Sequence, residues 1–104
     1  MNKVLDTYCL SLDYLEVSGA ELLELLAIRD RIFDLESTLS LEEKNILSKG
    51  DRKLIDNAKI IYQEISQFIN LYEHRQNHRI SPQKWWWYLD VLVSIHDYLI
   101  PVAA

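Results

Sequence analysis

Apolar residues recur along this chain at steps of three and four almost from end to end, the spacing that keeps side chains on one face of an α-helix. Val4 or Leu5, Tyr8, Leu12 and Leu15 predict a first helix over residues 3–17. Ser18 and Glu21 stand at capping-box spacing, where the hydroxyl accepts from the Glu backbone N–H and the carboxylate reaches back, and they open a second helix over 19–37. Its apolar set is Leu22, Leu25, Leu26, the aliphatic stem of Arg29, Ile32 and Phe33. Gly19 makes the break before it plausible, although one bent rod would fit the same pattern. Ser40-Leu41-Glu42-Glu43 repeats the capping-box signature and predicts a short helix that Gly50 closes in the left-handed conformation.

Asp51 then caps the longest predicted element, a fourth helix over 52–77. Leu54, Ala58, Ile61, Ile65, Phe68 and Tyr72 alternate steps of four and three along it, and Ile55, Tyr62 and Ile69 widen the seam. Three apolar positions per heptad suit a core helix of a globular bundle better than a two-stranded coiled coil.

Ser81 as cap with Pro82 at the first helical position predicts a last helix, stopped by Pro101. It would carry Trp85-Trp86-Trp87-Tyr88 near its start. Successive helical residues point about 100° apart, so the three tryptophans would sweep roughly 200° and exceed one ordinary apolar stripe. On such a wheel Asp90, Ser94 and Asp97 form a thin polar strip. Trp85 falls near the apolar centre with Leu89, Leu92 and Leu99. Trp86 borders the strip on one side with Val93 and Ile100, and Trp87 borders it on the other with Val91 and Tyr98. Leu, Ile and Val already supply a core, so the aromatic excess makes Trp86, Trp87, Val91 and Tyr98 the expected partner-binding residues.

Composition narrows the class. With 104 residues, 49% hydrophobic and 26% charged, and only two glycines and two prolines, the chain reads as one all-α domain over 1–104. The expected architecture is a compact bundle of four to five helices with a long fourth helix and a largely buried C-terminal helix. One cysteine, Cys9, leaves no internal disulfide and reads as a small core hydrophobe. The N-terminus carries no basic segment leading into an apolar run and no apolar stretch reaches spanning length, so a cytoplasmic location with no membrane partner is expected.

Charge is uneven. The total is −5, and residues 1–40 hold eight acids against three bases, which argues against a broad phosphate-binding face. The stretch His74-Arg75-Gln76-Asn77-His78-Arg79 is the opposite, and His74, Arg75, His78 and Arg79 form a candidate patch for an anionic partner. His74 and His78, four apart on a helix, could share a metal with Glu73 or His96. The two arginines repel a cation, however, and basic side chains at a helix C-terminus are explained by the unpaired carbonyls and the dipole, so no metal and no cofactor is expected.

Other chemistry finds little support. Small helical ribonucleases of the HEPN type place an Arg upstream of a His with four to six residues between, and none of His74, His78 or His96 has one there. Residues 40–60 have some flavour of a helix-turn-helix, with Lys49, Arg52 and Lys53 beside the turn, yet a bundle turn explains them more simply. His96 falls in the apolar sector of the last helix and reads as a hydrogen-bonded core histidine. There is no Gly-rich phosphate loop, no serine with a plausible triad and no evident small-molecule substrate. The expected function is a non-catalytic, regulatory protein–protein interaction module that forms a homo-dimer or binds another protein through the Trp-rich last helix. The alternative is a nucleic-acid-processing or metal-binding protein using the basic cluster.

Overall fold

The described residues form six α-helices and no strand. The computed structural model describes the backbone of residues 2–99 and the side chains of residues 2–95. In chain order the helices are α1 (Lys3–Leu12), α2 (Gly19–Leu35), α3 (Leu41–Asp56), α4 (Ala58–Ile65), α5 (Leu71–His78) and α6 (Leu89–Leu99). Short 3-10 turns at Glu36–Thr38 and Trp85–Trp87 precede α3 and α6. α1 packs on α2 and α3, while α4 packs between α2 and α6. None of these helices is long and apolar enough to cross a membrane.

α1 starts where Asn2 Oδ1 accepts from the N–H groups of Val4 and Leu5, and it buries Leu5, Tyr8 and Leu12. It stops at Leu12, five residues short of the expected 17. Ser18 needs extended backbone to cap α2, and the chain between them turns so that Leu15 and Val17 lie against the core from outside a helix. The first two helices are therefore separate. Ser18 supplies half of the expected capping box, accepting from Glu21 N–H, and α2 buries Leu22, Leu25, Leu26, Arg29 and Ile32 as the spacing requires. Gly19 is needed for closeness: a Cβ there would lie 2.5 Å from the Glu64 carbonyl oxygen and 2.5 Å from Phe68 Cδ2.

The box at Ser40 is complete. Ser40 Oγ accepts from Glu43 N–H, Glu43 Oε1 accepts from Ser40 N–H, and Glu43 Oε2 also accepts from the Asn2 N–H. The helix it opens does not end at Gly50. Gly50 has ordinary negative φ inside α3 and serves packing, because a Cβ would meet the Tyr8 ring at 3.1 Å and Leu12 Cδ1 at 3.4 Å.

The long fourth helix of the sequence reading is three pieces. Asn57 (φ −109°, ψ 14°) bends the chain, with its side chain donating to the Lys53 carbonyl, and α4 resumes at once. A turn at 66–68 then ends α4, and extended Asn70 caps α5 by accepting from Glu73 N–H. Leu54, Ala58, Ile61 and Ile65 are buried as the seam predicts, but Phe68 in the turn and Tyr72 beyond it lie 56% and 61% exposed. Asn70 with Glu73 three residues on is a cap-and-N3 pair, and the heptad seam masked it.

Arg79 ends α5 in the left-handed conformation (φ 48°, ψ 52°). Ser81-Pro82 opens a turn, and α6 begins only at Leu89. The expected C-terminal helix from 81 is thus corrected: Tyr88 (φ −115°, ψ 32°) separates the tryptophans from α6, and its hydroxyl donates to the Ile80 carbonyl at 2.6 Å to hold the connection. On α6 Leu89 is buried, whereas Val91 and Ile95 are exposed. The expected core position of His96 and the position of Tyr98 concern side chains outside the described residues.

Candidate functional site

The tryptophans reverse the order that a helical wheel assigns them. Trp86 is fully buried and Trp87 is 6% exposed, while Trp85 is only half-buried. Both margin residues are core residues because a 3-10 turn, tighter than an α-helix, aims their indoles into the bundle. Trp86 Nε1 and Trp87 Nε1 each donate to the same oxygen, Asp30 Oδ1, at 2.8 Å. One carboxylate in the middle of α2 therefore satisfies two buried indole N–H groups that would otherwise be costly to take out of water.

Arg29, the residue before Asp30, is 3% exposed and sits under the same turn, with its guanidinium carbon 4.2 Å from the centre of the Trp86 ring. It makes a fork to Asp51, Nε to Oδ1 at 2.9 Å and Nη2 to Oδ2 at 3.0 Å, and Nη2 also donates to Glu36 Oε1. The buried Tyr8 hydroxyl donates to Asp51 Oδ1 at 2.7 Å. Burial alone would lower the pKa of Arg29, but hydrogen bonding to Asp51 and its charge hold it above the usual arginine value. Burial and the Asp51 charge push the Tyr8 phenol well above its ordinary value, so it stays a neutral donor. Among the described residues Arg29 Nη1 has no hydrogen-bond partner, and the aromatic face of Trp86 lies beside the guanidinium and supplies cation–π attraction. Arg29 and Asp30 are organising residues whose roles sequence reasoning missed, and Asp51, expected to cap a helix, lies inside α3 and serves Arg29 and Tyr8 instead. The register of Arg29 among the buried positions of α2 was the one local signal.

The basic cluster does not act as one patch. Arg75 is 7% exposed and turned inward, forked onto Asp90 at 2.5 and 3.1 Å, donating to the Trp87 carbonyl and lying 4.5 Å from the Tyr88 ring centre. It is committed to joining α5 to α6. His78 and Arg79 are exposed, and His74 is half-buried with its ring stacked on Trp87 at 4.7 Å and 4.3 Å from the His78 ring. Among the described residues no group of three or more His, Cys, Asp or Glu is placed to hold a metal ion. Burial raises the pKa of the half-buried Cys9 thiol, as do Asp6, Asp13 and Asp51, which keeps it protonated and poorly nucleophilic.

Burial and neighbouring His78 depress the pKa of His74 below the ordinary 6.5, against the pull of Asp30. The unfolded chain then binds this proton more readily than the folded one, so stability rises with pH wherever His74 titrates. The contribution is present above about pH 6.5 and is lost as pH falls below it. The melting temperature should drop between pH 7 and 5.5, and His74→Gln should flatten that dependence; an unchanged slope would remove His74 as its source.

Apolar side chains also lie at the surface. Tyr14 (68% exposed) stands between two adjoining depressions of about 920 and 250 Å³, both of which it lines together with Val17. The larger runs past Leu12, Leu15 and Ile60, and the smaller past Leu10, Leu22 and Leu25. A separate groove of about 720 Å³ lies beside the Arg29 network, where Glu36 and Asp51, both held by Arg29, line it with Lys44, Ser48 and Arg52. Of the four expected partner-binding residues, Trp86 and Trp87 lie in the core, Val91 is on the surface, and the Tyr98 side chain is outside the described residues. No protein-family model, curated protein or solved structure matches this chain.

Proposed function

We propose that the protein is a non-catalytic protein–protein interaction module whose tryptophans form its internal framework and whose contacts run through surface apolar groups. The observation that carries this reading is the division of labour among the side chains. The buried cations Arg29 and Arg75 are engaged by Asp51, Glu36 and Asp90, while Leu10, Tyr14, Ile60, Val91 and Ile95 are exposed. Scattered exposed hydrophobes are ordinary, but Leu10, Tyr14 and Ile60 line adjoining depressions, which is the pattern of a contact site. The inward turn of Arg75 weighs against the nucleic-acid or metal reading of the basic cluster, because it removes the central cation from the surface.

Affinity isolation from the native extract with chemical cross-linking tests the module reading, together with light scattering of the purified chain. The expected result is a protein partner, or a second copy, cross-linked beside these surface residues. RNA cleavage abolished by His78→Ala, or a strictly monomeric chain that captures no protein, would overturn it.

A further inference from the structure

We infer that the groove formed by the end of α1, the 13–17 segment, α2 and α4 is a docking site for a cationic amphipathic helix of a partner protein. This rests on the interaction-module reading and names its surface and the chemistry of its partner.

Three observations converge. Two depressions meet at Tyr14 and Val17, one with Leu10, Leu22 and Leu25 in its lining and the other with Leu12, Leu15 and Ile60, beside the polar Ser11 and Asn57. The rim is acidic: Asp13, Glu16, Glu21 and Glu64 line it against a single base, Lys53. Lys53 is paired with Asp13, whereas Glu16, Glu21 and Glu64 make no ion pair among the described residues. A largely apolar lining with unpaired carboxylates among it complements a helix with an apolar stripe flanked by Lys or Arg, and it repels phosphate and anionic lipid surfaces. Backbone chemistry selects the helix form. The described residues offer no strand edge, so an extended peptide would find no ladder for its N–H and C=O groups over an apolar floor, whereas a helix satisfies its own.

The groove is also held in place. Gly19 lets α2 come against Glu64 and Phe68 of the α4 end with no room for a side chain, while the exposed Lys53–Asp13 pair spans α3 and the segment after α1. A helix would thus meet a preformed surface, which lowers the ordering cost of binding.

The test uses the full chain with three synthetic peptides: an amphipathic Leu/Lys helix, its scrambled sequence of equal composition, and the matching Leu/Glu helix. The amphipathic Leu/Lys peptide should shift backbone amide resonances at residues 10–17, 21–25 and 57–64, with the scrambled peptide at least roughly tenfold weaker. Glu16→Lys/Glu64→Lys, two surface changes, should weaken the Leu/Lys helix by roughly tenfold and admit the Leu/Glu helix. Tyr14→Ala should weaken both helices. Shifts confined to another face, equal binding of the scrambled peptide, or indifference to the charge reversal would overturn this assignment. Those outcomes leave the module reading standing, since that reading fails on the partner, association and RNA-cleavage measurements instead.

Discussion

Arg29→Ala is expected to cost about 3–5 kcal/mol, the range seen when one partner of a buried ion pair is removed. That is a large part of the roughly 5–15 kcal/mol available to a domain. The loss arises chiefly at Asp51. Its side chain, 18% exposed on the groove wall, would keep among the described residues only the Tyr8 hydroxyl as a hydrogen-bond partner, with its charge no longer balanced. Trp86 would lose the cation over its ring as well. Arg29→Lys should recover only part of this, because a point charge cannot fork onto both Asp51 oxygens and reach Glu36. Urea unfolding followed by circular dichroism gives these values. Asp51→Ala should cost a similar amount, and the double variant should cost clearly less than the two singles together, since either change alone strands the other group. Additive losses, or an Arg29→Ala loss below about 1 kcal/mol, would mean that the network is incidental to stability.

Asp30→Ala is the second large effect. It leaves two buried indole N–H groups without their acceptor at about 1–3 kcal/mol each, so a total on the order of 2–6 kcal/mol is expected. Asp30→Asn keeps an acceptor oxygen but loses the charge, which halves the strength of such bonds, and should cost roughly half as much. The spectroscopic signature separates this from general destabilisation. Under native conditions Asp30→Ala should shift tryptophan emission to longer wavelength as the turn loosens, while Gly50, Tyr8 and the α1–α3 contact stay in place. Unchanged emission with unchanged stability would show that the aromatic turn is held by packing alone.

Much of the chain up to Ile65 was legible because its signals are local. The Ser40 box, the apolar register of α2 and the buried run Leu54, Ala58, Ile61 and Ile65 depend on residues within a turn or two of one another. The failures share a cause. A heptad seam assumes that the helix continues, and it ran straight through Asn57 and Asn70, whose side chains serve the backbone and interrupt it. Gly50 was taken for a helix stop because its actual requirement, the Tyr8 ring 42 positions away in sequence, has no local trace.

The wheel through Trp85–Trp87 failed for the same reason. Asp30 lies 56 and 57 positions before Trp86 and Trp87, and nothing around residues 81–88 encodes it. The basic cluster was correct as a run of residue types and misleading as a surface, since only tertiary contact with Asp90 turns Arg75 inward. The groove is a further step removed. Its lining comes from α1, α2, the end of α3 and α4, and no window of sequence contains it.

Consecutive residues on α2 face two parts of the molecule at once. Arg29 is forked to α3 along one edge and covered by Trp86 on one face, and Asp30 holds the pair of indoles. The chain has a late addition in sequence that is central in space. Truncation ahead of Trp86 would not trim an appendage: it would uncover an arginine whose surroundings assume an aromatic roof. A cut before the tryptophan turn strips the cover from Arg29, and a cut just after it strips Asp90 from Arg75 and Leu89 from the core, so the two ends of the chain are expected to fold as one unit.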